Sequence, residues 1–179
     1  MKRVAVYGGS FNPIHSGHLE IIIHLSKHFD KVVIIPTEMK YYKRESALFS
    51  FERRCEMIED NIETLENVWI DTIEHGKPET WKFIDSLKHV IENEPNSTVY
   101  VAMGSDCLKD FKNWYHWEEI LRISKLLVFT RPGYTENLPT DVEYELVEMN
   151  NDESSTKIRE QMNLIYSTYP NMNRLNSIA

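Results

Sequence analysis

Residues 4–24 read VAVYGGSFNPIHSGHLEIIIH, and they contain the strongest structural signals in the sequence. Its first four residues, Val4 to Tyr7, form an apolar, valine-rich run that is typical of a buried strand. Glycine, serine, asparagine and proline at positions 8–13 predict a tight loop. From His18 onward the apolar residues recur at helical spacing, which predicts a helix. A strand, a glycine loop and a helix in this order predict an anion site, because unpaired N–H groups and the positive end of the helix dipole point into the loop.

Two histidines stand at the entry to this helix. His15 and His18 enclose Ser16 and Gly17, and we expect both imidazoles to face the same anion. Gly17 leaves room for a ligand close to the backbone, and imidazole N–H groups offset charge that develops on phosphate oxygens in a transition state. A zinc site is the alternative for paired histidines, but no third ligand is evident. The Gly-x-Gly-x-x-Gly pattern of a dinucleotide site is absent.

The composition is that of an ordinary globular chain with an acidic balance. The chain has 179 residues and a formal net charge of −8, and this length is enough to bury a real core. The negative charge argues against nucleic-acid binding, and it requires local cations to attract an anionic substrate. No apolar run is long enough to span a membrane. The only two cysteines, Cys55 and Cys107, form no Cys-x-x-Cys pair, so we expect a cytoplasmic protein without a membrane partner.

The remaining apolar runs predict a parallel sheet that is covered by helices. Residues 31–36 form a second apolar strand after the first helix, and such a unit predicts parallel pairing with a right-handed crossover. Further strands are predicted over 68–73, 99–103, 126–130 and 144–149, and helices over 51–65, 80–92, 108–111 and 117–123. This alternation predicts an α/β fold with a doubly wound parallel sheet in a single domain.

Two further segments have side chains suited to phosphate. The loop over 37–50 is basic at its centre, where Lys43 lies. Its charge alone is equally consistent with a site for triphosphate and with a solvated surface loop. The segment 154–159 reads SSTKIR, which places hydroxyls at a predicted helix start with Arg159 one turn inside. Such hydroxyls bind phosphate oxygens, or they simply cap the helix beside a surface arginine.

Three groups of these residues carry a resemblance to known proteins. GGSFNPIHSGHL at 8–19 resembles the signature of the nucleotidylyltransferase superfamily, and SSTKIR at 154–159 resembles its Ser-Ser-Thr-x-Ile-Arg element. GSD at 104–106, FKNWYHWEEIL at 111–121 and RPGY at 131–134 resemble the bacterial nicotinate-nucleotide adenylyltransferases. The resemblance covers most of the chain and is strongest at its start, its centre and near its end.

The resemblance implies an enzyme that transfers the adenylyl group of ATP to nicotinate mononucleotide, giving deamido-NAD and pyrophosphate in NAD biosynthesis. It implies one Rossmann-like nucleotidylyltransferase domain over residues 1–179, and Mg²⁺ that enters with ATP and is held by phosphate and water rather than by protein ligands. The implied catalytic residues are His15, His18, Lys43 and Arg159. The implied ATP-binding residues are Gly8, Gly9, Ser10, Phe11, Gly104, Asp106, Ser155 and Thr156, and the implied pyridine-substrate residues are Thr80, Trp114, Tyr115 and Arg131.

Some of these implied roles are specific. Asp106 is implied to hold ribose hydroxyls, Trp114 to stack on the electron-poor nicotinate ring, and Tyr115 to place a backbone N–H near the nicotinate carboxylate. Trp117 is expected in the core. Residues 39–43 read MKYYK where the family commonly has Pro-Pro-His-Lys, which leaves Lys43 as the phosphate-binding lysine.

Other functions stay open at this point. A nicotinamide-mononucleotide enzyme differs only in an amide for a carboxylate on its substrate. A phosphopantetheine adenylyltransferase shares the first motif but usually has threonine at the position of His15. A non-catalytic nucleotide sensor on the same fold is the alternative from another class, and the sequence leaves the oligomeric state undecided.

Overall fold

A computed structural model describes residues 1–38, 48–130 and 137–149 of the chain. Six strands in this part of the chain form one sheet, and every neighbouring pair is parallel. They are β1 Lys2–Gly9, β2 Lys31–Pro36, β3 Val68–Ile70, β4 Ser97–Gly104, β5 Lys125–Thr130 and β6 Glu145–Glu148. Their spatial order is β3-β2-β1-β4-β5-β6. Winding therefore reverses between β1 and β4, and in open α/β sheets ligands bind beyond the carboxyl ends of the strands at this switch point.

Helices cover both faces of this sheet. They are α1 Ser16–His28, α2 Phe51–Ile62, α3 Phe83–Asn93, α4 Ser105–Asp110 and α5 Trp117–Ile123, with a 3₁₀ turn over Phe111–Asn113. None of the helices in the described ranges has the length and apolar character that a membrane span needs. The sheet with helices on both faces confirms the predicted doubly wound α/β fold.

Alternating side chains of the central strands divide the interior into two cores. Ala5 and Tyr7 of β1 join one core, which α1 and α2 cover, whereas Val4 and Val6 join the other, which α3, α4 and α5 cover. Because the side-chain period of a strand is two, a register slip of one residue would exchange the two faces. Both faces are apolar here, so the strands are continuous apolar runs rather than alternating ones.

Local hydrogen bonds explain where the elements begin and end. β2 has the predicted bounds, and Ser50 caps α2 as expected, because its Oγ accepts a hydrogen bond from Arg53 N–H at 3.1 Å. β3 ends earlier than predicted: Asp71 Oδ1 accepts from Ile73 N–H at 2.9 Å and turns the chain. α3 begins at Phe83 and not at Thr80, because Asp85 Oδ2 accepts from Lys82 N–H at 2.8 Å and closes the first turn there.

An ion-pair cluster fixes the amino edge of the sheet, opposite the switch-point site. Glu94, at the end of α3, accepts hydrogen bonds from Lys2 of β1, at 3.0 Å, and from Lys31 of β2. Burial alone would raise the pKa of Glu94, but the hydrogen bonds from the two lysines outweigh it and hold that pKa below its ordinary value. The cluster therefore contributes stability at neutral pH and takes no part in the carboxyl-edge site.

Candidate active site

The loop that follows β1 is held in shape by buried side chains. Phe11 has a φ of 45° and is 1% exposed, and its ring meets Tyr7 at 5.4 Å and His18 at 4.9 Å between centroids. Burial of this ring offsets the cost of the left-handed backbone. Asn12 is also buried, precedes a cis peptide bond to Pro13, and accepts a hydrogen bond from Phe49 N–H at 3.1 Å. The loop is therefore packed into the core rather than resting on the surface.

The two histidines cap α1 with their own imidazoles. His15 Nδ1 accepts hydrogen bonds from Gly17 N–H at 3.0 Å and His18 N–H at 3.4 Å. His18 Nδ1 accepts in return from His15 N–H at 3.2 Å, which completes a capping box. A nitrogen that accepts a hydrogen bond carries no hydrogen, so each neutral imidazole carries its hydrogen on Nε2. The cap therefore fixes the tautomer of both rings and makes both Nε2–H groups donors.

The rings of His15 and His18 are also fixed in position. They stack with centroids 3.7 Å apart and planes 24° apart, and His15 is 5% exposed. Stacking and capping together hold the two rings side by side at the start of α1. α1 consequently begins at Ser16, two residues earlier than the apolar periodicity alone indicated.

A second pair of residues lies at the carboxyl end of β4, beside the end of β1. Tyr7 of β1 pairs with Ala102 of β4, so Gly9 and Gly104 end neighbouring strands at the switch point. Gly104 caps α4, and a Cβ at Gly104 would lie 2.5 Å from Asp106 Oδ1. That separation is below any real carbon–oxygen contact, so the glycine is what permits the carboxylate of Asp106 to stand there. Asp106 itself is exposed to solvent in the first turn of α4.

An aromatic wall forms one side of this edge. Trp114 is half-buried and meets Phe83 and Phe111, each with ring centroids 5.4 Å apart. Phe83 in turn lies against the end of β1, since its Cε2 is 3.2 Å from where a Cβ of Gly8 would be. Tyr115 is 59% exposed beside this wall, whereas Trp117 packs against Phe111 and the core, as expected.

Phe83 is the residue that sequence reasoning missed. Thr80 was predicted as the contribution of this segment to the pyridine site, and it is an exposed residue in the turn before α3. Phe83, the first residue of α3, is the side chain of this segment that meets both Gly8 and Trp114. The sequence WKFIDSL shows that Phe83 is apolar. Only its contacts with Gly8 and Trp114 in the folded protein distinguish it from the core residues of the same helix.

The structure brings part of the predicted site together. Several predicted site residues lie at the carboxyl edge of the sheet or in the segments that follow it. They are the residues of the β1 loop, the two histidines, Gly104, Asp106, Trp114 and Tyr115. In the ranges that the structure describes, no three His, Cys, Asp or Glu side chains are grouped as metal ligands. Five predicted site residues lie outside the described residues: Lys43, Arg131, Ser155, Thr156 and Arg159.

Comparison with known proteins identifies the class to which this fold and site belong. The model of the cytidylyltransferase-like family matches residues 6–161. The structure of Plasmodium falciparum nicotinic acid mononucleotide adenylyltransferase complexed with NaAD is similar, with a TM-score of 0.74 and 21% sequence identity over 89% of this chain and 83% of that chain. At that identity the likeness concerns the fold. The chain belongs to the cytidylyltransferase-like family, and it has the Rossmann-like fold predicted for it.

Relatives of higher identity narrow the family. A protein of Listeria monocytogenes serotype 4a named "Probable nicotinate-nucleotide adenylyltransferase" is 30% identical over 165 residues, which are 88% of this chain and 84% of the relative. A Clostridium tetani protein of the same name is 31% identical over 137 residues, 75% of this chain and 68% of the relative. Within its class, the chain is therefore a member of the nicotinate-nucleotide adenylyltransferase family, and it is an enzyme, a nucleotidyltransferase.

Proposed function

We propose that this enzyme transfers the adenylyl group of ATP to nicotinate mononucleotide, giving deamido-NAD and pyrophosphate, as a step of NAD biosynthesis. The observation that carries the proposal is the reciprocal cap of His15 and His18. It leaves the hydrogen of each neutral imidazole on Nε2 at the amino end of α1, where a bound phosphate would lie. The names of the relatives support the choice of acceptor.

The reaction balances without a covalent enzyme intermediate. An oxygen of the 5′-phosphate of the acceptor attacks the α-phosphorus of ATP in line, and a new phosphorus–oxygen bond forms. The bond from the α-phosphorus to the bridging oxygen breaks, and pyrophosphate leaves with that electron pair. The attacking phosphate is already ionised at neutral pH, so no strong base is needed. Catalysis then consists of positioning and charge stabilisation.

The histidines supply the charge stabilisation in this proposal. His15 and His18 donate from Nε2 to the phosphates of ATP, with His18 on the transferring phosphoryl group. Both rings are held by the cap and by stacking, so their donors need no rearrangement when charge develops on the oxygens. ATP enters as its magnesium complex, with the ion held by phosphate oxygens and water.

The nucleotide and the acceptor are assigned to different residues of the segment that follows β4 in this proposal. Asp106 accepts hydrogen bonds from the ribose hydroxyls of ATP. The nicotinate ring stacks on Trp114, with Phe83 closing the same apolar wall, and the backbone N–H of Tyr115 lies near its carboxylate. The remaining contacts are assigned by motif: Gly8, Gly9, Ser10, Phe11, Lys43, Ser155, Thr156 and Arg159 for the phosphates, and Thr80 and Arg131 for the pyridine nucleotide.

The setting proposed for this reaction is the cytoplasm, in one domain that spans residues 1–179. Cys55 and Cys107 are free thiols, which suits a reducing compartment.

Pyrophosphate release tests the proposal directly. The purified enzyme receives ATP and Mg²⁺ with nicotinate mononucleotide, with nicotinamide mononucleotide, or with no acceptor, and the dinucleotide product is identified by mass spectrometry. We expect strong release with the nicotinate form and formation of deamido-NAD. A preference for the amide form would keep the chemistry but overturn the acceptor assignment. No release with either acceptor would overturn the reaction and favour a nucleotide sensor or another acceptor phosphate.

A further inference from the structure

Arg54 is a buried cation beneath the glycine loop, and the proposed reaction does not use it. It lies in the first turn of α2 and is 1% exposed, the largest of the fully buried side chains. Its Nη1 donates to two backbone carbonyls, Ser10 O at 2.7 Å and Thr37 O at 3.0 Å. These carbonyls follow β1 and β2, so one guanidinium joins the loops at the ends of two neighbouring strands.

No carboxylate in the described ranges forms an ion pair with this guanidinium. Its Nε is buried without a hydrogen-bond partner, and the ring of Phe51 lies 5.2 Å from its Cζ. The nearby carboxylates of Glu38 and Glu52 contact His75 instead, at 3.0 Å and 3.3 Å. Burial lowers the pKa of Arg54, and these acids offset it only in part. A buried charge without a paired partner costs several kcal/mol, so a function that uses the charge would explain why it is retained.

The hydrogen bond to Ser10 O also fixes the direction of a peptide N–H. In a trans peptide the C=O and the following N–H point in opposite directions across the bond. Because Arg54 Nη1 binds the Ser10 carbonyl, the N–H of Phe11 points away from Arg54. No described residue accepts a hydrogen bond from this N–H. The unusual φ of 45° at Phe11 belongs to the same peptide arrangement.

We propose that Arg54 is a positioning residue for polyphosphate: it orients the Ser10–Phe11 peptide so that Phe11 N–H donates to the anion, and its charge, which forms no ion pair with a carboxylate of the described residues, attracts that anion. The inference rests on the assignment of the glycine loop as the phosphate site. It also answers a difficulty that the composition raises. The whole chain carries a net charge of −8, which repels ATP, and a buried cation beneath the loop is screened by solvent far less than a surface one.

Inorganic tripolyphosphate is the probe, with adenosine as the uncharged control ligand. Neither ligand requires an acceptor, so the result is independent of whether nicotinate mononucleotide is the substrate. Arg54→Met removes the charge and both donors at similar volume, Arg54→Lys keeps the charge, and Arg53→Met removes a charge from the neighbouring, ion-paired position of the same helix. Calorimetric titration gives the affinities, and the ¹⁵N–¹H resonance of Phe11 in labelled wild-type protein reports on the peptide itself.

We expect Arg54→Met to weaken tripolyphosphate binding by about tenfold or more, the order expected for losing a nearby unit charge at an effective dielectric constant of about 20. Adenosine binding stays unchanged, Arg54→Lys stays within about threefold of wild type, and Arg53→Met has little effect. Tripolyphosphate also shifts the Phe11 amide resonance in the wild-type protein.

Three results would overturn the proposal. Equal losses for tripolyphosphate and adenosine in Arg54→Met would assign Arg54 a purely structural role. Equal losses in Arg53→Met and Arg54→Met would assign the effect to overall charge. An unmoved Phe11 resonance in the wild type would remove the peptide from the anion site and so overturn the proposal, and this measurement does not depend on whether Arg54→Met folds.

Discussion

Replacing His18 with asparagine separates the two tasks that the structure gives to this side chain. His18 Nδ1 accepts the hydrogen bond from His15 N–H at 3.2 Å, whereas catalysis is assigned to Nε2–H. The amide oxygen of asparagine occupies a position near that of Nδ1, so His18→Asn keeps the cap and removes the donor. His18→Ala removes both, and either substitution removes the contact of the ring with Phe11 at 4.9 Å.

The two substitutions therefore differ in stability but not in catalytic loss. Loss of a cap costs about 1 kcal/mol, and loss of the ring contacts costs about 1 kcal/mol more. His18→Asn should lower the midpoint of thermal unfolding by about 2–4 °C and His18→Ala by about 4–8 °C, at about 2–4 °C per kcal/mol for a domain of this size. Both should lower kcat by about 10²-fold or more, as for the loss of one oxyanion donor.

Pyrophosphate release at saturating ATP and acceptor gives kcat, and differential scanning calorimetry gives the unfolding midpoint. His28→Asn is the matched control, because His28 is exposed in the last turn of the same helix. It should leave both quantities close to wild type. A donor that acts only in the transition state lowers kcat and kcat/KM equally, so KM for ATP should change little in His18→Asn.

A kcat near that of wild type in His18→Asn would refute the assignment of Nε2–H to the transferring phosphoryl group. A large rise in KM with unchanged kcat would move His18 to ground-state binding of ATP. Equal unfolding midpoints for the asparagine and alanine variants would refute the contribution that the structure assigns to the cap.

Gly104→Ala places a methyl group 2.5 Å from the present position of Asp106 Oδ1 and displaces this carboxylate. KM for ATP should therefore rise about tenfold, the effect of losing one hydrogen bond. An unchanged KM would contradict the assignment of Asp106 to the ribose hydroxyls. Gly8→Ala brings a methyl group 3.2 Å from Phe83 Cε2. KM for nicotinate mononucleotide should rise about tenfold. Adding Phe83→Leu to the Gly8→Ala variant should lower this KM again in part, because overpacking is relieved. If the double variant has the same KM as Gly8→Ala, the aromatic wall is not part of the acceptor site. Glu94→Gln should lower the free energy of unfolding in urea by about 1 kcal/mol at neutral pH. Because the folded-state pKa of Glu94 lies below its unfolded value, that difference should shrink as the pH falls through the folded-state pKa, and a constant difference would disprove the charge-based explanation.

Segments with strong local signals were predicted well from the sequence. β2 has its predicted bounds, and the helix cap at Ser50 is where the pattern placed it. Errors fell at ends that side chains decide. Asp71 and Asp85 accept backbone hydrogen bonds that stop β3 and start α3, and apolar periodicity carries no information about such bonds.

The sequence also indicated the parts of the site that are close together along the chain. His15 and His18 are three residues apart, so a helix start brings them together without help from the rest of the fold. What the spacing did not reveal is that each imidazole caps the other's backbone and so fixes its own tautomer. That result needed the backbone angles of His15, which only the folded loop supplies.

The family, the α/β fold and the residues around the first glycine loop were predictable from local patterns alone, because strand, loop, helix and motif each depend on residues that are close together along the chain. Only the tertiary structure decided that Phe83 packs between Gly8 and Trp114, and that Arg54 joins the carbonyls of Ser10 and Thr37. These residues are far apart along the chain. They meet because parallel pairing brings the carboxyl ends of the central strands to one edge, and the helices packed on both faces carry their side chains to that edge.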